Sequence, residues 1–510
     1  MKKYLSLVLA LVMLVTLLAG CGGSGSSGSD TPSRTDVNVS INKAFTSLDP
    51  HGTPLLQDNI VLWQVFSALL HFNELTGAAE PDLAESYDVS EDGTVYTFKL
   101  RDDIYFHNGD PVTADDVVFS LTRCMDPNMG RSIYTASIKE VKAVDEKTVD
   151  VVLKAPSAPF LVNMCYVFII SQKEVEEQGA EFGTKPCSGT GPYMVTELDP
   201  DQKIVLTAFD QYYKGKASIE TVNFYIVTDS AAGQVSFEAG DLDWYSCSAA
   251  DYARLSQDPT YGTEAMPANH ITYMAVNPTA NDALANEKVR QAIAYAIDKE
   301  ELNDAAFDGL GEAADFFYNP KWNVGAPGDG FHYTYDPEKA KSLLAEAGYP
   351  NGVNVGKLLC WTGGHFEVCA TTIQAQLAKV GIQCELEWNE QGVALNRGTA
   401  MDFDMIVSGF ACGGDYDEIR KRVYSSSTAA YIKYQQTDYD WQWMDETLDT
   451  ASATTDPVER IKLNQEHSDY VLNTATQIPL VHKCVFFTWN ADLNVKNRPI
   501  NPIIYDWSWN

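Results

Sequence analysis

Long apolar runs are nearly absent from this 510-residue chain; only residues 4–19 form one, at the very N-terminus. That excludes a polytopic membrane protein. Basic residues are scarce, 36 Lys and Arg against 70 Asp and Glu, for a formal charge of −34. A surface this acidic repels phosphate backbones and anionic lipid, so no nucleic-acid partner is expected. There is no G-x-x-x-x-G-K-[ST], no H-E-x-x-H and no G-x-S-x-G. The phosphate cradle, zinc-protease helix and nucleophile elbow built on those spacings are therefore missing. The eight His are scattered singly, and no C-x-x-C occurs. With 70 carboxylates a glycosidase pair can always be drawn, so that argument has no specificity. Neither an enzyme, a cofactor nor a metal site is expected.

What is present points to a folded, exported body. Hydrophobic residues make up 45% of the chain, with 21 Phe, 26 Tyr and 10 Trp. That is too aromatic for disorder, and the length suits about three domain-sized units at roughly 150 residues each. Lys2 and Lys3 precede the apolar run, and Leu18-Ala19-Gly20-Cys21 closes it. A charged start, a short apolar core and small residues at a cut site read as an export signal over residues 1–20. The Cys directly after Ala-Gly resembles a bacterial lipoprotein signal. The resemblance implies cleavage before Cys21 and a lipid on its thiol, which would anchor the chain outside the cell membrane. Residues 21–35 are then the lipidated Cys and a flexible Gly/Ser tether. Nine further Cys follow, an odd number whose pairing stays open. His365 and Cys369 lie four apart near Cys360, a spacing that suits a metal, but free Cys more often behaves as a small buried hydrophobe.

The body reads as mixed α and β. Tyr87 and Val89 alternate into the turn pair Asp92-Gly93, and Tyr96, Phe98 and Leu100 share one face beyond it, a hairpin. A second hairpin runs over residues 141–153 through Asp145-Glu146-Lys147. Thr113-Ala114-Asp115-Asp116 has the capping-box spacing, with Val117, Val118 and Leu121 as the buried stripe. Val289, Ile293 and Ile297 mark another helix; Asp336-Pro337 and Asp456-Pro457 start two more, the first closed by Gly348. Gly189-Thr190-Gly191-Pro192-Tyr193 reads as a turn into a strand over 193–196. Trp441 and Trp443 are taken as structural. Irregular alternation of helices and hairpins fits α/β lobes with mixed sheets.

Several segments, in order, resemble extracytoplasmic solute-binding proteins of ABC importers, in the family 5 group typified by oligopeptide- and dipeptide-binding proteins. The strongest are Pro81-Asp82-Leu83-Ala84-Glu85-Ser86-Tyr87 and Phe106-His107-Asn108-Gly109-Asp110-Pro111-Val112-Thr113-Ala114-Asp115-Asp116-Val117. Leu48-Asp49-Pro50, Gly189-Thr190-Gly191-Pro192-Tyr193, Gly240-Asp241-Leu242-Asp243, Asn277-Pro278 and Tyr335-Asp336-Pro337 add to it, so the resemblance spans about residues 36–485.

The resemblance implies a two-lobed, periplasmic-binding-protein-like clamp. Lobe I is expected over 36–268, with an extra subdomain at about 80–185. Lobe II is expected over 269–480, and residues 481–510 return to lobe I. The implied function is a lipid-anchored, monomeric receptor that captures peptides and delivers them to a permease and ATPase complex. An oligosaccharide or a nickel chelate is the alternative ligand, and a hydrolase or a sensory receptor the alternative role. Peptide-binding members use an Asp of the second lobe to pair with the ligand's α-amino group, which points to Asp415. Phe410 and Cys412 precede it, where the family typically has a Trp about three residues before the Asp. Trp361, Trp244, Tyr245, Ser246 and Cys247 are the further expected cleft residues.

Overall fold

Two long strands, Tyr261–Val276 and Gln477–Asn490, run antiparallel through the middle of the body. Their β-branched and aromatic residues (Ile271, Tyr273, Val276; Ile478, Val481, Phe486, Phe487) suit a pleated, two-sided burial. Pairing is continuous from Tyr261↔Asn490 to Pro267↔Cys484, and resumes at Ile271↔His482 after a register shift. Pro267 cannot donate to the ladder, which favours a break there. On one side of the break the sheet continues through Trp244–Cys247, Asp36–Ile41, Thr221–Ile226, Lys203–Ala208 and Tyr193–Asp199. On the other it continues through Met405–Ala411, Val353–Trp361 and Ile382–Asn389. The result is two α/β halves joined by two shared strands, the two-lobed clamp that the resemblance implies.

This computed structural model describes residues 34–52, 56–73, 76–321, 323–498 and 502–510. The expected signal over 1–20, Cys21 and the tether as far as residue 33 lie outside the described residues. Residues 35–510 hold together as one unit. Among the described residues, no helix is long and apolar enough to cross a membrane.

A separate four-stranded antiparallel sheet is formed by Ala84–Val89, Val95–Leu100, Thr148–Leu153 and Ile138–Ala143. Tyr87 opposes Phe98, and Gly93 takes φ +67° in the turn, a conformation that a side chain would oppose. The helix Ala114–Cys124 packs on this sheet. Its start is fixed by Asp116, whose carboxylate accepts from the Thr113 N–H at 3.0 Å and hydroxyl at 2.9 Å. Val117 and Leu121 are buried, whereas Val118 is only half-buried.

Contacts explain several of the motif residues without chemistry. The His107 ring bridges the glycine turn: Nδ1 accepts from the Gly189 N–H, and Nε2 lies 3.0 Å from the Gly191 carbonyl. A Cβ on Gly189 would fall 1.9 Å from the Val65 carbonyl, so only glycine admits that approach. Asp49 holds Arg123 through both carboxylate oxygens, at 2.9 and 2.6 Å. Asp336 and Asp456 cap the helices Pro337–Glu346 and Pro457–Asn473, and Ile297 lies just past the helix Glu287–Ala296. Trp441 and Trp443 open the helix Trp441–Ala453, Trp443 resting on Tyr470.

All nine described cysteines are free thiols, and eight are buried. His365, Cys369 and Cys360 form no metal site; among the described residues no group of three or more His, Cys, Asp or Glu could hold one.

Candidate functional site

In an open α/β sheet, ligands bind beyond the carboxyl ends of the parallel strands. Asp36–Ile41, Thr221–Ile226 and Trp244–Cys247 are parallel and end on one side of their half. Val353–Trp361 is likewise parallel to its neighbours in the other half. The segments that follow these ends meet around a cavity of about 640 Å³. That is within the roughly 300–1,000 Å³ of small-molecule sites.

Tyr245, Ser246 and Cys247 form one wall. The Tyr245 ring stacks on Phe237, and its hydroxyl donates to the Ser230 carbonyl at 3.2 Å, so the wall is rigid. Asn42 and Lys43, just past Ile41, flank it. The opposite wall carries Phe307, Asp308 and His365, and Lys483 and Cys484 of the long strand lie at the crossover. The cavity therefore takes residues from both halves.

Other expected site residues do not line this cavity. Trp244 lies in the core, stacked on Phe487 at 5.1 Å, with its indole N–H on Asn497. Strand alternation sends it to the face opposite Tyr245. Trp361 is buried against Phe366, with ring centres 4.4 Å apart. Phe410 lies beneath the Arg422 guanidinium at 4.5 Å and beside Tyr273 and Phe317. The Cys412 thiol donates to the Phe317 carbonyl.

Asp415 departs furthest from expectation. It is 2% exposed and ion-paired with Arg460 through both of its oxygens, at 2.8 and 2.5 Å. Burial pushes its carboxyl up while the guanidinium pulls it back down. An incoming ammonium would have to displace a guanidinium already in bidentate geometry. The expected amine partner is a structural ion pair in this structure.

The halves also touch away from the crossover. A Cβ on Gly414 would lie 2.9 Å from the Tyr166 hydroxyl and 3.3 Å from both Phe72 and Val162. The Ala158 N–H donates to the Ser452 carbonyl at 2.6 Å.

The chemistry of the walls is that of binding. Burial pushes the Cys247 thiol up to about 12 and the Cys484 thiol up to about 11, so both stay protonated. Burial also holds His365 and His270 down at about 4, with Lys483 adding to the effect. Sequence reasoning missed Lys43, Lys483 and His365 as cavity residues. The available signal was Lys483 itself, a cation inside the apolar run from Ile478 to Phe487.

Comparison with known proteins supports this reading. Residues 78–431 match the model of bacterial extracellular solute-binding proteins, family 5. The chain belongs to that family. Family 5 members are solute-binding subunits of ABC importers, and the relatives are binding proteins, not enzymes. Heme-binding protein A of Haemophilus influenzae is 30% identical, over 99% of this chain and 98% of that one. The dipeptide-binding protein of Escherichia coli is 30% identical, over 91% and 90% of the two chains. The solved structure of HbpA2 from Haemophilus parasuis superposes with a TM-score of 0.83 at 28% identity, covering 93% of this chain and all of that one (100%).

Proposed function

We propose that this family 5 protein is a lipid-anchored receptor that captures small peptides by cleft closure and hands them to an ABC permease. The observation that carries the reading is the cavity of about 640 Å³, walled by both halves where two long strands cross between them. Similarity to the dipeptide-binding protein of Escherichia coli supports the peptide class. Lobe I is assigned to 36–268 and 481–510, and lobe II to 269–480. The register shift between Pro267 and Ile271 serves as the hinge. Ligand shifts the population toward the closed state by the difference in its affinity for the two states. Cys21 carries the lipid, which keeps the monomeric receptor near its permease and raises its effective concentration there.

The test is a thermal-shift screen against di- to hexapeptides, oligosaccharides, nickel chelates and haem. A ligand at 100 times its Kd adds about 2.7 kcal/mol to the folded state. Stabilisation by peptides supports the proposal. Stabilisation by haem, a sugar or a chelate alone keeps the clamp and replaces the ligand. Cys21→Ser is expected to release the protein from the membrane fraction; retention there would contradict the anchor.

A further inference from the structure

The cavity carries a charge pattern opposite to that of the whole chain. The protein has a formal charge of −34, yet Lys43 and Lys483 both line the cavity. Neither ammonium has an ion-pair partner among the described residues. Most other lysines of the body are matched to a carboxylate, as Lys288 is to Glu346 and Lys379 to Glu301. Burial, and after it the charge of Lys43, lowers the affinity of Lys483 for its proton.

Around them the uncharged polar groups include hydroxyls, the Asn42 amide and histidine rings. His365 lines the same space, and its Nε2 is buried without a hydrogen-bond partner. His270 lies beside Lys483, and its Nδ1 is likewise buried and unpartnered. Arg422 adds a further positive charge behind His270. The only carboxylate among the described lining residues is Asp308, which is exposed at the cavity's edge. The carboxylate expected to meet a ligand's amine, Asp415, is occupied by Arg460.

We infer that Lys43 and Lys483 form a two-ammonium cradle for a carboxylate of the ligand, and that the captured solute is an anionic, carboxylate-bearing compound such as an acidic peptide. This rests on the proposal that the cavity is the solute site, and it names the solute's class. Both lysines belong to lobe I as assigned, and closure brings Phe307 and His365 of lobe II over them. A carboxylate seated there relieves the repulsion between the two ammoniums and can accept from His365 once that ring presents a proton. Lys43 is exposed and Lys483 half-buried, and charge-assisted hydrogen bonds of this kind are about twice as strong as neutral ones. The acidic outer surface slows the encounter with anions at long range, and salt screens that repulsion. Recognition depends on the ligand's acid group, and its free amine is dispensable.

The experiment is isothermal titration of the wild-type protein, Lys43→Gln, Lys483→Gln and the double variant with matched probes. The probes are Gly-Glu, N-acetyl-Gly-Glu and Gly-Gln amide, with glutarate and citrate as peptide-free acids. Melting curves of the ligand-free variants check that each folds. The expected result is binding of Gly-Glu and N-acetyl-Gly-Glu with similar affinity, and binding of Gly-Gln amide at least tenfold weaker. Each lysine substitution should weaken the acids about tenfold and leave the amide unchanged. If no peptide binds but glutarate or citrate does, and the double variant abolishes it, the cradle stands with a simpler acid as cargo. Equal affinity for acid and amide, or acid binding untouched in the double variant, overturns it. So does a screen in which only sugars, chelates or other solutes without a carboxylate bind, an outcome that keeps the receptor function. A protein stabilised by no solute of any class would instead remove the receptor reading itself.

Discussion

Arg460 grips Asp415 with both terminal guanidinium nitrogens, at 2.8 and 2.5 Å, in a pocket that excludes solvent from both side chains. The pair ties the turn at 413–416 to the helix Pro457–Asn473. The same turn is bonded to a third segment by the Val324 N–H on the Gly414 carbonyl and the Tyr416 N–H on the Val324 carbonyl. Asn464 of the helix also donates to the Gly325 carbonyl. Removing one partner of a buried pair strands a charge, at a cost of about 3–5 kcal/mol. Asp415→Asn is therefore expected to lower the unfolding free energy by that much, read as a lower urea midpoint. Loss of ligand affinity with an unchanged midpoint would restore Asp415 as a ligand contact.

Gly414 reports on closure. A valine there meets Phe72, Val162 and Tyr166 of the other half. Overpacking of this kind costs about 1–3 kcal/mol, and here the halves can separate to relieve it. Gly414→Val is expected to weaken ligand binding about tenfold or more while barely moving the melting point of the ligand-free protein. Small-angle scattering should show a larger radius of gyration. An unchanged radius and affinity would contradict the contact.

Stability should fall with acid between pH 6.5 and 4. Burial holds His51, His107, His270, His365 and His482 down at about 4, and His467 at about 3, against an ordinary 6.5. Below 6.5 the unfolded chain takes up protons that the folded chain refuses, so acid favours unfolding. The stability these rings contribute is fully present above 6.5 and is lost as pH drops toward 4. Each ring contributes on the order of 1–3 kcal/mol across that window. A melting temperature flat from pH 7 to pH 4.5 would contradict it.

His107 stands apart among these rings, because both nitrogens bond to the glycine turn. His107→Ala leaves a buried N–H and a buried carbonyl unpaired, at about 1–3 kcal/mol each. Its cost should appear in chemical denaturation, and because His107 does not line the cavity, ligand affinity should stay within about twofold of wild type. A variant as stable as wild type would show that water replaces the ring.

Local pattern carried much of the fold. The alternation of Tyr96, Phe98 and Leu100, the Thr113–Asp116 box and the Asp-Pro helix starts each depend on neighbours within four residues, and each is found in the structure. The site was less legible. Trp244 packs into the core on Phe487 while Tyr245 next to it lines the cavity, a difference set by the distant strand Gln477–Asn490 that no local spacing reveals. The partner of Asp415 lies 45 residues away on a helix, and no spacing rule reaches it. Lys43 and Lys483 come from opposite ends of the chain and meet only because the last long strand returns beside the first half.

The central claim is that the cavity walled by Tyr245, Ser246 and Cys247 is where the solute sits. The direct measurement is titration of Ser246→Trp with whichever solute stabilises the wild-type protein. An indole at that wall fills the cavity, so binding should fall by at least a hundredfold while the ligand-free protein melts within a few degrees of wild type. A variant that folds normally and binds with unchanged affinity would place the solute elsewhere.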